Sequence, residues 1–312
     1  MEKTFQGMSK TFEDIMGEAS KVVIGQQSVL KQIILALMCD ANALLEGYPG
    51  LAKTLSVKTI SQLLDLKFSR IQGTPDLMPS DITGTYVLEE RNGKREFKFQ
   101  QGPIFSNIVL FDEINRATPK TQSALLESMQ ERQVTVGNKT FPLDKPFFVL
   151  ATSNPIEQEG TYPLPEAQSD RFLFKIKTDY PTAQEEFLIV TQYSDILKDH
   201  GLKPILSKEQ LAKLQDLVRK VPVANDIKKF AVDIVLKSRK NKELIEYGAS
   251  PRASIGLILA AKANALFNGR NYVTTEDVTE MAFPVLRHRI ILNFEAERNN
   301  FSEDDVIKYL LK

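Results

Sequence analysis

Four short runs of the chain are apolar at nearly every position: Ala43-Leu44-Leu45, Ile108-Val109-Leu110-Phe111, the first half of FFVLATSN at Phe147 to Asn154, and Phe172-Leu173-Phe174. Such runs lack the in–out alternation of a half-exposed strand. They read as strands covered on both faces, as in a parallel sheet packed between helices. Helical stretches lie between them. Residues up to about Lys21 are amphipathic, Val22 to Gln27 leads into a helix through Asp40, and PKTQSALLESMQE is a further helix. Another helix runs from Lys53 to about Leu66, ahead of a strand at Lys67 to Gln72. PEAQSDRFLFKIK gives a short helix, Arg171 and a last strand. From Pro181 the pattern becomes helices without strands, broken at Lys203-Pro204, Val221-Pro222 and Ser250-Pro251, because a residue ahead of proline is pushed out of the helical region. The expected organisation is an α/β nucleotide-binding core over residues 1–179, including an N-terminal helix, and a smaller all-helical domain over 180–312.

Two segments interrupt this plan. Between Thr74 and Pro103 the chain inserts MPSDITG, the alternating run YVLEE, a turn at Asn92-Gly93 and a second run, REFKF. This reads as a projecting hairpin, or as a helix flanked by short strands. QVTVGNKTFPL, with its Gly137-Asn138 turn, signals a second hairpin.

Composition narrows the partners. Lys+Arg and Asp+Glu are both 40, the formal net charge is zero, and the balance holds on either side of Tyr180, so neither half is a basic nucleic-acid surface. KSRKNK at Lys237 to Lys242 reads as a solvated helix end. The single cysteine, Cys39, sits in the apolar run IILALMCD and suits packing. His200 and His288 are far apart, which gives a zinc site little support. No stretch approaches the ~18 apolar residues of a membrane span, and the start MEKTFQGMSK has no apolar signal core. A soluble, cytoplasmic protein is expected.

The candidate chemistry lies at two strand ends. After Ala43-Leu44-Leu45 comes GYPGLAKT, a turn built on Gly47, Pro49 and Gly50, and a helix opening at Lys53. A strand, loop and helix in this order bind phosphate, because backbone N–H groups converge on the anion and the helix start adds positive potential. Lys53 would neutralise the β and γ phosphates and the Thr54 hydroxyl would ligate Mg²⁺. Ala52 stands where the strict pattern has glycine. A residue with a Cβ suits negative φ, so Ala52 is expected to belong already to the helix. The run Ile108 to Phe111 ends in Asp112 and Glu113. Burying carboxylates there is costly unless a cation pairs with them. Asp112 is the metal-side acid and Glu113 is placed to polarise the attacking water. Asp-Glu alone would also suit a solvated helix start; the phosphate loop upstream gives the pair its meaning.

With these residues in hand, the chain resembles the MoxR family of AAA+ ATPases from about Val22 onward. The resemblance rests on GYPGLAKT, LMPSDITG, GPIFSNIVLFDEINRA, TQSALLESMQERQVTV, ATSNPIEQEGTYPLPEAQSDRF and SPRAS. The family usually reads GVPGLAKT, so Ala52 conforms and Tyr48 is a mild departure. The resemblance implies an αβα core with strand order 5-1-4-3-2, an all-helical lid, and rings, commonly hexamers, with ATP at subunit boundaries. It implies that the loop from Gly47 through Pro49, Gly50, Leu51, Ala52, Lys53, Thr54 and Leu55 holds the phosphates, with Gly25 and Gln26 near adenine. Asn154 matches the sensor of the γ phosphate or attacking water, Arg171 the finger given to a neighbour's site, and Arg252 the second sensor on the lid. Each has a plainer alternative: a turn at Asn154-Pro155, an ion pair of Arg171 with Asp170 or Glu166, a helix cap at Arg252. Arg116 could sense nucleotide or pair with Glu113 or Asp112. Both hairpins match family insertions that face the ring's pore or a partner.

The function implied is an ATP-driven, chaperone-like remodeller of a client protein, working with an adaptor that bears a von Willebrand A domain. A motor subunit of a metal-chelatase complex shares these insertions. A nucleic-acid motor is the third reading, weakened because Arg91, Lys94, Arg95 and Lys98 are interleaved with Glu89, Glu90 and Glu96. A scaffold that binds ATP without hydrolysing it would be expected to lack Glu113, Asn154 or Arg171, and all three are present.

Overall fold

The computed structural model describes residues 2–91, 94–155, 160–194 and 200–312. Helices α1 (Glu2–Val22) and α2 (Gln27–Met38) precede strand β1 (Ala43–Glu46), helix α3 (Lys53–Leu63) and strand β2 (Phe68–Gln72). A short helix α4 (Pro79–Thr83) leads into β3 (Gly84–Arg91) and β4 (Lys94–Gln101), followed by β5 (Ile108–Asp112) and α5 (Pro119–Glu131). Next come β6 (Gln133–Val136), β7 (Lys139–Pro142), β8 (Phe148–Ser153), α6 (Glu166–Ser169) and β9 (Phe174–Lys177). The remainder is α7 (Ala183–Tyr193), α8 (Lys208–Lys220), α9 (Asn225–Lys240), β10 (Ile245–Tyr247), α10 (Pro251–Phe267), α11 (Thr275–Leu286), β11 (Ile291–Leu292), α12 (Phe294–Arg298) and α13 (Glu303–Leu310).

Five strands form one sheet in the order β2-β5-β8-β1-β9, with every pairing parallel. Counted within the core this is 5-1-4-3-2, as the resemblance implies. The apolar runs are buried because successive residues face opposite layers. Ile108 and Leu110 join one core with Leu45, Leu150 and the helices α2, α3 and α8 to α11. Val109 and Phe111 join another with Leu44, Val149 and α5. Cys39 is buried in the first, and its burial pushes the thiol well above the ordinary range, as suits a packing residue.

One expectation needs correcting. The region after Pro181 is not free of strands: Ile245 and Tyr247 of β10 pair antiparallel with β11. Both strands are too short to leave a periodic signal, and Ile245 is fixed by burial in the helical core. The KSRKNK stretch does close a helix, α9.

The inserted segment is a short helix followed by a hairpin of two eight-residue strands, β3 and β4; its expected Asn92-Gly93 turn lies outside the described residues. Gly84 and Gly102 meet at its base, where a Cβ on Gly84 would fall 2.2 Å from the Gln100 carbonyl oxygen. The second hairpin, β6 and β7, lies against the first. Phe141 stacks on Phe99 with ring centroids 4.3 Å apart, and Phe105 meets both edge-on.

Candidate functional site

The parallel sheet brings three chain segments to one edge. β1, β5 and β8 all end there, so the loop after Glu46, the acids after Phe111 and Asn154 after Ser153 are neighbours by topology. Glu46 is level with Ser153, and the Gly47 N–H donates to the Ser153 carbonyl at 3.2 Å.

In the loop, Gly47 is required by close approach: a Cβ there would lie 1.6 Å from Thr178 Oγ1. Gly50 takes φ +81, which favours glycine. Ala52 departs from the sequence-based expectation. It has φ 54 and ψ 23, so it stands left-handed before the helix, which begins at Lys53. A left-handed residue in such a turn swings successive N–H groups into one concavity, and that anion-binding shape offsets the roughly 1–2 kcal/mol that a side chain costs there. Among the described residues no side chain caps α3, whose N-cap residue Ala52 carries only a methyl group, and a helix start of this kind suits an anion. Lys53 lies across the loop, with Nζ donating to the Gly47 carbonyl at 2.6 Å. Pro49 is exposed at the tip, Leu51 is buried, and Thr54 and Leu55 are half-buried in the first turn of α3.

At the end of β5, Thr152 Oγ1 donates to Asp112 Oδ1 at 2.7 Å and accepts the Glu113 N–H at 2.9 Å. Arg70, on β2, donates to Asp112 Oδ2 from Nε at 3.2 Å and Nη2 at 2.7 Å. Glu113 is left-handed, with φ 58 and ψ 59, and its Oε2 accepts from Gln72 Nε2 at 3.2 Å and Arg116 Nη1 at 3.1 Å. Of the two alternatives for Arg116, pairing with Glu113 is therefore present. Behind it the Gly73 N–H donates to the Asp112 carbonyl at 2.7 Å, and a Cβ on Gly73 would sit 2.2 Å from the Glu113 carbonyl oxygen. Gly73→Ala is expected to push Glu113 aside and to destabilise the fold by about 1–3 kcal/mol, the range for overpacking against fixed neighbours. Thermal unfolding of the variant checks this; an unchanged midpoint would show that the two backbones can separate freely.

Gly25, with φ +76, lies against the Glu185 carboxylate, and buried Gln26 donates from Nε2 to the Asp179 carbonyl at 3.1 Å. Gln26, Gly50, Ala52, Leu55, Pro181 and Tyr193 line a mostly apolar cavity of about 160 Å³ between the loop and α7. Tyr193 closes it by donating its hydroxyl to the Val22 carbonyl at 2.5 Å. Tyr48 stacks on Tyr180 at 5.0 Å, so the departure from valine has a partner that the sequence did not suggest.

Asn154 is buried and lines a cleft of about 690 Å³ with Asn115 and His288. Arg171 is elsewhere. It sits in the turn before Phe174, which is level with Ala43, whereas Glu46 beside the loop is level with Lys177. The four-residue strand β9 therefore places Arg171 about 10 Å or more from the Gly47 loop of its own chain. Among the described residues Arg171 makes no ion pair with Asp170 or Glu166. Asp170 instead accepts from Arg252 Nη1 at 3.3 Å, Ser250 Oγ at 2.9 Å and Arg289 Nε at 2.7 Å. Arg252 is exposed, and Ser250, not Arg252, caps α10. Arg289, only 3% exposed along its side chain, also donates to the Phe172 and Leu173 carbonyls and ties the lower turn to the end of α11. Arg70, Gln72, Gly73, Thr152 and Arg289 escaped the sequence reading.

Residues 42–174 match the family model described as the ATPase family associated with various cellular activities (AAA), and residues 237–309 match that of the AAA lid domain. The chain is 44% identical to the chaperone MoxR1 of Mycobacterium tuberculosis, over 97% of this chain and 81% of that protein. It is 42% identical to the uncharacterised protein YeaC of Bacillus subtilis, over 94% and 90%. A crystal structure of a candidate ATPase from Cytophaga hutchinsonii superposes with a TM-score of 0.92 at 43% identity, covering 99% of this chain and 96% of that one.

Proposed function

Because the chain belongs to the MoxR family of AAA+ ATPases, we propose that it hydrolyses ATP at the interfaces of a ring, most simply a hexamer, and uses the cycle to remodel or activate a client protein with a von Willebrand A domain adaptor. The observation that carries the hydrolytic reading is the meeting of the loop from Gly47 to Thr54, the acids and Asn154 at one sheet edge, with Arg171 at the other. Gly47 to Leu55 cradle the phosphates, Gly25 and Gln26 border the base, and the division near Tyr180 separates core from lid. Thr54 and Asp112 offer hard oxygens suited to Mg²⁺, and Asp112 already holds a cation in Arg70. Bound there, Mg²⁺ would offset phosphate charge.

Glu113 takes a proton from water as the water oxygen bonds to the γ phosphorus and the bond to the β–γ bridging oxygen breaks. Asn154 orients that water or the γ phosphate. Arg171 reaches the phosphates of a neighbour, since its own are at the far end of β9, and Arg252, whose Nη1 donates to Asp170, serves as the second sensor on the lid. Tyr86, Phe99 and Phe141 tie the hairpins together as the part that meets the client. A nucleic-acid motor is disfavoured, because Arg95 pairs with Glu90 and Lys98 with Glu89, leaving little positive field for a phosphate backbone. Among the described residues no helix is long and apolar enough to cross a membrane.

Glu113→Gln is expected to bind a fluorescent ATP analogue as well as the unmutated chain does while phosphate release falls roughly 10²- to 10⁴-fold, the usual worth of a general base. Equal turnover of the two proteins would remove Glu113 from this role. The absence of ATP binding to either would remove the whole reading.

A further inference from the structure

Every carboxylate oxygen of Asp112 is engaged by the chain itself, and its strongest partner is a cation. Arg70 reaches across from β2 with two N–H groups on Oδ2, and the same Nη2 donates to Gln72 Oε1 at 2.7 Å. Gln72 in turn donates from Nε2 to Glu113. One amide side chain therefore joins the cation on Asp112 to the carboxylate of Glu113. The arrangement is also open to replacement. The Arg70 side chain is 49% exposed, and an ion pair with one partner in water is weak. Arg289, sealed among carbonyls and Asp170, shows what a permanent arginine looks like in this protein.

We propose that Arg70 is a displaceable counter-ion: it occupies Asp112 while no nucleotide is bound and withdraws when a divalent cation arrives with the phosphates, freeing Gln72 and so loosening its hold on Glu113. This rests on Asp112 being the metal-side acid. Arg70 is thus a positioning residue, a cation on Asp112 tied to one of the two donors on Glu113, the other being Arg116. Holding Asp112 permanently in place for the metal would be the opposite role, and the two differ in sign. A counter-ion competes with metal, so removing it tightens metal binding; a support helps metal, so removing it weakens binding.

The test is equilibrium Mn²⁺ binding to the full chain in saturating ADP, followed by the electron paramagnetic resonance signal of free Mn²⁺, for the unmutated chain, Arg70→Met and Arg70→Lys. Methionine keeps an apolar stem without charge at a half-exposed position. Its Mn²⁺ dissociation constant is expected to fall roughly fivefold, the competition expected of an exposed pair. Lysine keeps the charge and should stay near the unmutated value. An unchanged or weaker Mn²⁺ affinity in Arg70→Met overturns the counter-ion role while leaving the proposed ATPase intact. Failure of the unmutated chain to bind Mn²⁺ with ADP overturns the metal-side assignment of Asp112 and this inference with it.

Discussion

Arg171→Ala protein is expected to bind ATP as the unmutated chain does yet hydrolyse it about 10³- to 10⁵-fold more slowly, the contribution of an arginine finger in other nucleotidases. The reason is geometric. Arg171 lies at the opposite end of β9 from the loop that begins at Gly47, and among the described residues it has no carboxylate partner, so its charge is available to a second molecule. A planar, always-charged group suits the charge that spreads over the γ phosphoryl oxygens. Complementation gives the sharper result. Glu113→Gln protomers keep the finger but cannot run their own site, so mixing them with Arg171→Ala should restore turnover wherever an intact Glu113 faces an intact Arg171. Phosphate release from the mixture, measured after subunit exchange is confirmed, checks this. No recovery despite exchange would place the finger's target in its own chain.

Lys53→Ala should lose tight ATP binding. Two charge-assisted contacts of about 1.5–3 kcal/mol each, to the β and γ phosphates, amount to a loss on the order of 10²- to 10⁴-fold in affinity. The ammonium donates to the Gly47 carbonyl, which holds it across the loop where phosphate would enter. Titration with a fluorescent ATP analogue decides the matter, and equal affinity for Lys53→Ala and the unmutated chain would refute the assignment. Circular dichroism melts of both proteins separate that loss from unfolding.

The parts of this architecture that the sequence announced are those with a repeating pattern or a fixed spacing. Ile108 to Phe111 had to be a covered strand, and the acids after it therefore had to emerge at a sheet edge. What stayed hidden depends on contacts between residues distant in sequence. In Phe68 to Gln72, Arg70 and Gln72 look like the solvated side of an edge strand, and only the register with β5 sets them beside Asp112 and Glu113. Gly73 has no local signal beyond the end of a strand. The left-handed Ala52 runs against its residue type because converging N–H groups in the turn outweigh a steric preference of about 1–2 kcal/mol. β10 and β11 are set by packing of the helices around them, which no run of two or three residues can display.

The stack of Phe99 on Phe141 also fixes how many parts can move independently above the sheet. A lone two-stranded hairpin is marginally stable in water, and two such hairpins on separate tethers would fluctuate out of step. Here they share one aromatic joint with Phe105, which lies just ahead of β5. The two hairpins are therefore expected to move as one body above the base at Gly84 and Gly102, rather than as two separate fingers.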